Sequence, residues 1–375
     1  MSSIDRDRIA SQVREGLENT AFAASSMRVL SGGNANFTYH ANLKTPLQDG
    51  TKEVLIKQSE GFVANNPDFK LTLARCRIED ECLKALSKFS VSSIKDGTES
   101  IYTVRTPRFS HFDEINNTQI QEYLPNSKDL KTYALKTYPE NTPDAAREEC
   151  FQLGRALGLW LRSFHQWGAT QPDLYKMVSG NEEMQHLKHV INFSWLVSRI
   201  QLFPSILEEA RSVFEEVKEM AEKEMRDEGK TQVIHGDFWT GNILLPDSPI
   251  EKGVGIPMFV VDWEMSQAGA PNLDVGQMVA ELYELKLYKN ITAGNWMVQG
   301  FLNGYGNVDE EFALRTAIQV GTHLIGFGTS VQGWGTPDQV EMVARTGRDI
   351  IVHAWRKDRK WFEEGELACL FESVP

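Results

Sequence analysis

The chain is short of cysteine, of basic runs and of long apolar runs, and each shortage removes a class of protein. Its four cysteines, Cys76, Cys82, Cys150 and Cys369, are scattered, with no Cys-x-x-Cys pair. They read as reduced thiols of a cytoplasmic protein, not as a metal ribbon or a disulfide frame. No stretch of about 18 apolar residues occurs, so no membrane span is expected. The first ten residues carry charge where a secretory signal needs an apolar stretch. Lysine and arginine number 39 against 52 aspartates and glutamates, a net charge of -13. A nucleic-acid partner needs a basic face, and no such run appears. The acidic balance favours solubility and weakly attracts cationic small molecules. Neither His-Glu-x-x-His nor Gly-x-Ser-x-Gly is present, which removes two common hydrolase chemistries. No internal repeat or low-complexity tract is visible, and nothing fixes the oligomeric state.

What is present is concentrated in residues 233–264. The apolar run at 233–234 leads into His235-Gly236-Asp237, then Asn242, then a second apolar run. A third, at 258–261, ends in Asp262-Trp263-Glu264. Strand, polar loop, strand, turn and strand would bring Asp237, Asn242 and Asp262 to one end of a small sheet. Phosphoryl transfer asks for that set: one carboxylate takes the proton of an attacking hydroxyl, while an Asn and a second Asp hold Mg²⁺ against the phosphates of ATP. Asp-x-x-x-x-Asn followed by an Asp beyond the next strand is a kinase catalytic-loop spacing. The competing reading, a polar turn between two strands, does not explain why apolar runs bracket both polar clusters in this order.

Upstream, residues 4–18 suggest a short amphipathic helix, and strands are expected at 27–30, 37–43 and 53–57. The turn Gly32-Gly33-Asn34-Ala35-Asn36 would offer backbone N–H groups to phosphates; alone, it is only a hairpin. Its weight comes from Lys57, which ends the third strand. A lysine there neutralises the α- and β-phosphates and needs a carboxylate from the next helix to aim it. That helix is residues 71–86, and Glu79 is the expected partner, with Glu81 in reserve. Strands at 101–107 and 117–124 follow, then Pro125, where the chain turns from strand-rich to helix-rich.

The loop departs from the protein-kinase His-Arg-Asp and Asp-Phe-Gly patterns. With His-Gly-Asp-x-x-x-x-Asn and Val-Asp-Trp-Glu it resembles the aminoglycoside phosphotransferase and choline kinase superfamily of small-molecule kinases. The resemblance implies an α+β, bilobal protein-kinase-like fold. Residues 1–124 would form a small antiparallel-sheet lobe with one main helix, and residues 125–375 a larger, mostly helical lobe. It implies ATP and Mg²⁺ as cofactors and a small-molecule hydroxyl acceptor. It also implies a hinge at Glu122 and Leu124 that meets adenine through main-chain groups. Segments 31–39, 69–81 and 260–276 look like methylthioribose kinases and like fungal hydroxytryptamine kinases. Trp263 stands where the former usually have Pro, and Asn242 where they usually have Ser, so the acceptor stays open among amino alcohols, hydroxylated arylamines and thio-sugars.

The roles follow. Asp237 is the base, Asn242 and Asp262 the Mg²⁺ ligands, and Lys57 with Glu79 and the glycine turn the phosphate-binding group. Glu264 either reaches a second metal through water or caps the turn. Asp274, where the superfamily often has an acid, reads as an N-cap of the next helix. Trp239 and Trp334 are candidates for the acceptor wall, where a tryptophan with an acid could hold an ammonium. Trp263, His165 and His235 read as structural, and residues 168–204 as an irregular insertion. A non-catalytic kinase-like protein that binds nucleotide or metabolite to regulate a partner is the alternative. Against it, none of the kinase groups is missing. A protein kinase is disfavoured by the short connector after Glu264.

Overall fold

The computed structural model describes residues 6–30, 33–91, 101–251 and 253–372. It divides into two compact units, residues 1–90 with 106–126, and residues 91–105 with 127–375.

The first unit is built on a five-stranded antiparallel sheet in the order Ala24–Val29, Phe37–Leu43, Glu53–Gln58, Thr118–Glu122, Phe109–Asp113. Alternation sets the faces: Val54 and Ile56 point with Tyr39 and Ala41 into a core that also holds Phe37 and Ile120. The helix Arg6–Leu17 closes that core through Ile9, Val13 and Leu17, four residues apart and all buried. Each such aliphatic side chain contributes about 1.5–3 kcal/mol by leaving water. Lys57 is on the opposite parity and so points away from this core toward the helix Ala74–Leu86. The strand Phe109–Asp113 has no counterpart among the expected elements.

The second unit centres on two long helices, Arg147–Gly168 and Ala293–Tyr305. Their close approach through Gly154 and Gly158 is sterically demanding. A methyl group on Gly154 would lie 2.1 Å from the Met297 carbonyl oxygen, and one on Gly158 1.9 Å from that of Phe301. A four-stranded sheet in the order Ile101–Arg105, Gly255–Val260, Ile243–Pro246, Ser127–Asp129 carries the loop that matters below. The strand Ile101–Arg105, expected beside the first unit's strands, pairs instead in parallel with Gly255–Val260. The supposed irregular insertion is helical: Pro172–Ser179 and Glu182–His189 lead through a wide π-type turn, Val190–Ser194, to Trp195–Ser198. Among the described residues no single helix is long and apolar enough to cross a membrane.

Candidate active site

In the first unit, Lys57 Nζ donates to Glu79 Oε2 at 2.6 Å, with side chains 8% and 2% exposed. So deep a pair costs desolvation, which only close geometry offsets. Glu81, the reserve, lies on the outer side of the helix with Lys84, 3.2 Å away. The glycine turn is described from Gly33 onward, and Gly32 lies outside the described residues. Asn65 Nδ2 donates to the Gly33 carbonyl at 3.2 Å and to Asn34 Oδ1 at 3.0 Å, bracing the turn. Asn36 is buried, and its Oδ1 accepts from the Ser59 hydroxyl at 2.7 Å and from Arg75 at 3.0 Å. That side chain is therefore committed to holding the turn. At the end of the sheet, the Glu122 carboxylate accepts from the Arg108 N–H at 2.9 Å, and the Glu122 N–H donates to the Arg108 carbonyl at 2.8 Å. Leu124 follows two residues later, half-buried.

In the second unit, the strand Gln232–Ile234 pairs with Gln267–Gly269 and delivers the chain into His235-Gly236-Asp237. Gly236 has φ +81°, and a methyl group there would lie 2.1 Å from the Met265 carbonyl oxygen. Local backbone geometry explains glycine at this position. His235 is buried and spans the loop. Its Nδ1 accepts from the Asp237 N–H at 3.2 Å, so Nε2 carries the proton and donates to the Val261 carbonyl at 3.0 Å. Burial, against the pull of Asp274 and Asp237, keeps its pKa below the ordinary value and the ring neutral.

Asp274 corrects the N-cap expectation. It lies inside the helix Asn272–Lys289 and reaches back to the loop, accepting from the His235 N–H at 2.8 Å and the Gly236 N–H at 2.9 Å. His165 Nε2 is 3.2 Å from the same carboxylate, and His165 Nδ1 is 2.9 Å from the Tyr305 hydroxyl. Burial would raise the Asp274 pKa, but the His165 hydrogen bond, nearby His235 and the loop N–H groups win and hold it below the usual range.

Asp237 itself is half-buried, its side chain 28% exposed. Its Oδ1 accepts from Gln277 Nε2 at 2.8 Å, and its Oδ2 from Asn242 Nδ2 at 3.1 Å. Lys188 Nζ donates to Gln277 Oε1 at 2.6 Å and stands 3.8 Å from Asp237 Oδ1. Burial lowers the Lys188 pKa, with Asp237 and Asp274 opposing. Gln277 and Lys188 were missed by sequence reasoning. Gln277 had a signal, three residues beyond Asp274 on the same helix face. Lys188 had none, because a lysine in an eight-residue helix is ordinarily solvated.

Asn242 precedes the strand Ile243–Pro246, whose register pairs Ile243 with Val260. The Val261 N–H donates to the Asn242 carbonyl at 3.0 Å, so Asn242 and Asp262 leave the same end of that ladder. Asp262 takes a left-handed backbone, φ 67° and ψ 66°, a costly state for a residue with a Cβ. A divalent hard cation fits this set. The amide nitrogen of Asn242 is committed to Asp237, which leaves its oxygen as donor, and Asp262 supplies a carboxylate. Glu264 is buried, and its backbone carbonyl accepts from Asn181 Nδ2 at 3.1 Å. Trp263 is fully buried, its indole N–H donating to the Val260 carbonyl at 3.1 Å. Trp239 folds over Gly241, where a methyl group would be 2.3 Å from its ring, and it is half-buried. Trp334 is buried beside Tyr288, with ring centroids 5.7 Å apart.

A family model described as "Phosphotransferase enzyme family" matches residues 30–311. Phosphotransferase FrzJ of Cladobotryum sp is 27% identical over 366 residues, 95% of this chain and 94% of the relative. A 4-hydroxytryptamine kinase of Psilocybe cyanescens is 26% identical, over 93% of this chain and 91% of the relative. Among solved structures, the Plasmodium vivax ethanolamine kinase superposes with a TM-score of 0.52 at 14% identity, covering 91% of this chain and 87% of that one. That last likeness is one of fold.

Proposed function

The chain belongs to the phosphotransferase enzyme family, and from that premise we propose that it moves the γ-phosphate of ATP to a hydroxyl of a small metabolite. The acceptor class is an amino alcohol, a hydroxylated arylamine or a thio-sugar; similarity to a 4-hydroxytryptamine kinase favours the second. The observation that carries the reading is the state of Asp237. Two amide donors fix both of its oxygens while the side chain keeps access to solvent. A carboxylate needed only for folding would have no reason to stay open.

The acceptor hydroxyl meets an Asp237 oxygen. Its oxygen forms the new bond to the γ-phosphorus, the bond from that phosphorus to the ADP oxygen breaks, and the hydroxyl proton passes to Asp237. Gln277 and Asn242 hold the carboxylate in place, so little geometry is left to find in the transition state. Asn242 and Asp262 would hold Mg²⁺, which when bound supplies neutralisation of the phosphate charge. Lys57, aimed by Glu79, would pair with the α- and β-phosphates, and the turn at Gly33 and Asn34 would offer N–H groups. The main chain at Glu122 and Leu124 would meet adenine. The two units correspond in this reading to a nucleotide-covering lobe and a catalytic lobe. Trp239, Glu264 and Trp334 are proposed on the acceptor side.

The test is a mass-spectrometric search for labelled phospho-compounds formed from isotopically labelled ATP and a mixture of hydroxylated metabolites, with and without Mg²⁺. A Mg²⁺-dependent product names the acceptor. Absence of both product and Mg²⁺-dependent ATP binding would sink the reading.

A further inference from the structure

Beside the catalytic loop, in the second unit, seven side chains make a cluster, of which the proposed chemistry uses only the two tryptophans, Trp239 and Trp334. Lys131 Nζ lies 3.1 Å from Glu281 Oε2 and 3.9 Å from Glu284 Oε2. The same nitrogen sits 4.4 Å from the ring centre of Trp334 and 5.7 Å from that of Trp239. His323 Nε2 is 2.9 Å from Glu281 Oε1, and the loop residue Thr240 donates its hydroxyl to Glu281 Oε2 at 3.1 Å. One ligand atom from each of Glu281, Glu284 and His323 lies within 4.8 Å of the others. Two fully buried atoms, Glu284 Oε1 and His323 Nδ1, have no hydrogen-bond partner among the described residues. Carboxylate oxygens, an imidazole and two indole rings are the donor set of a cation site. The cation in it is the protein's own.

The charge count supports this. Burial, then the charge of Glu281, pushes the Glu284 carboxyl well above its ordinary range, which disfavours its charged form. Burial also acts to raise Glu281, but His323 and Lys131 outweigh it and bring that carboxyl down to about 2. The two shifts favour a single negative charge, on Glu281, facing the Lys131 ammonium. A second cation would find no uncompensated charge, and it would give up translational freedom that a tethered lysine has already lost.

We propose that Lys131 is the resident cation of a carboxylate–indole cage on the wall next to the catalytic loop, and that it bars cationic groups from that wall. The part of the acceptor lying there is then uncharged or anionic, and an acceptor amine is held elsewhere. The word acceptor rests on the phosphotransferase reading; the occupied cage does not.

The test uses the full chain, Lys131→Ala, Lys131→Met and Lys131→Ala/Glu281→Gln, titrated with methylammonium chloride against sodium chloride at constant ionic strength. Wild type should show no saturable change in Tm beyond the sodium control. Lys131→Ala should be less stable and recover by about 3 °C or more as methylammonium fills the vacated position. The double variant and Lys131→Met, whose side chain fills the space without charge, should not respond. Saturable binding of methylammonium to wild type overturns the proposal, as does a folded Lys131→Ala that gains nothing. If Lys131→Ala folds only with methylammonium present, the proposal is supported. If it folds under neither condition while Lys131→Met folds, the proposal is overturned. Stabilisation of the same samples by Mg·ATP is read separately: its absence counts against phosphoryl transfer and leaves the cage result standing.

Discussion

The helix Asn272–Lys289 is buried along most of its length, yet it carries a polar stripe of Asp274, Gln277, Glu281 and Glu284 at helical spacing. Its two ends are unlike. At the loop end, both oxygens of Asp274 accept backbone N–H groups, and both amide atoms of Gln277 are bonded. At the far end, Glu284 Oε1 has no hydrogen-bond partner within ordinary distance among the described residues, and Lys131, 3.9 Å from Oε2, is held by a side chain of four rotatable carbons. Backbone partners cannot rearrange without moving the loop, whereas Lys131 can. The stripe is rigid where Asp237 is aimed and adaptable where the wall beside the loop is formed.

Substitutions along the stripe should break that contrast in a graded order. Asp274→Ala strands two loop N–H groups and a buried histidine, so it should cost about 3–5 kcal/mol or abolish folding. Urea unfolding decides, and a loss under about 1 kcal/mol would contradict the clamp. Gln277→Leu keeps the volume but frees one oxygen of Asp237. Product formation should fall about tenfold to a hundredfold in kcat with KM for ATP unchanged. A rise in KM for ATP with kcat unchanged would place Gln277 in nucleotide binding instead. Glu284→Gln should be mildest at the acid end of the range, within about 1 kcal/mol near pH 5, because there it swaps a protonated carboxyl for an amide of the same shape.

The two ends should also respond oppositely to pH. Asp274 has its folded pKa below the ordinary 3.8, so its stabilisation is present above that value and is lost as acid titrates the folded carboxylate. Glu284 has its folded pKa above the ordinary 4.5, so its contribution is whole below that value and is lost as pH rises through the folded pKa. Unfolding curves from roughly pH 5 to pH 9 should therefore show Glu284→Gln gaining on wild type as pH rises. A gap that narrows instead would mean Glu284 is ionised in the folded chain.

Much of this was legible in the sequence where local patterns carry it. Alternation marked Phe37–Leu43 and Glu53–Gln58, and apolar brackets marked the loop from His235 to Asn242. Lys57 could be paired with Glu79 because one ends a strand and the other lies next to the apolar stripe of the next helix. Long-range events were not legible. The parallel pairing of Ile101–Arg105 with Gly255–Val260 joins segments with no local cue. The helices of the region read as an insertion are short and broken by a π-type turn, which blurred their period and hid Lys188. The polar stripe was visible as spacing, but an N-cap is the usual use of an Asp at a helix start, and that prior took Asp274 the wrong way.

The most direct measurement of the central claim is transfer of the γ-phosphate from Mg·ATP by wild type and by Asp237→Asn. The amide keeps the size and polarity of the side chain but removes the proton acceptor. The account predicts unchanged nucleotide binding and transfer slowed about a thousandfold. Transfer at the wild-type rate by Asp237→Asn would contradict it.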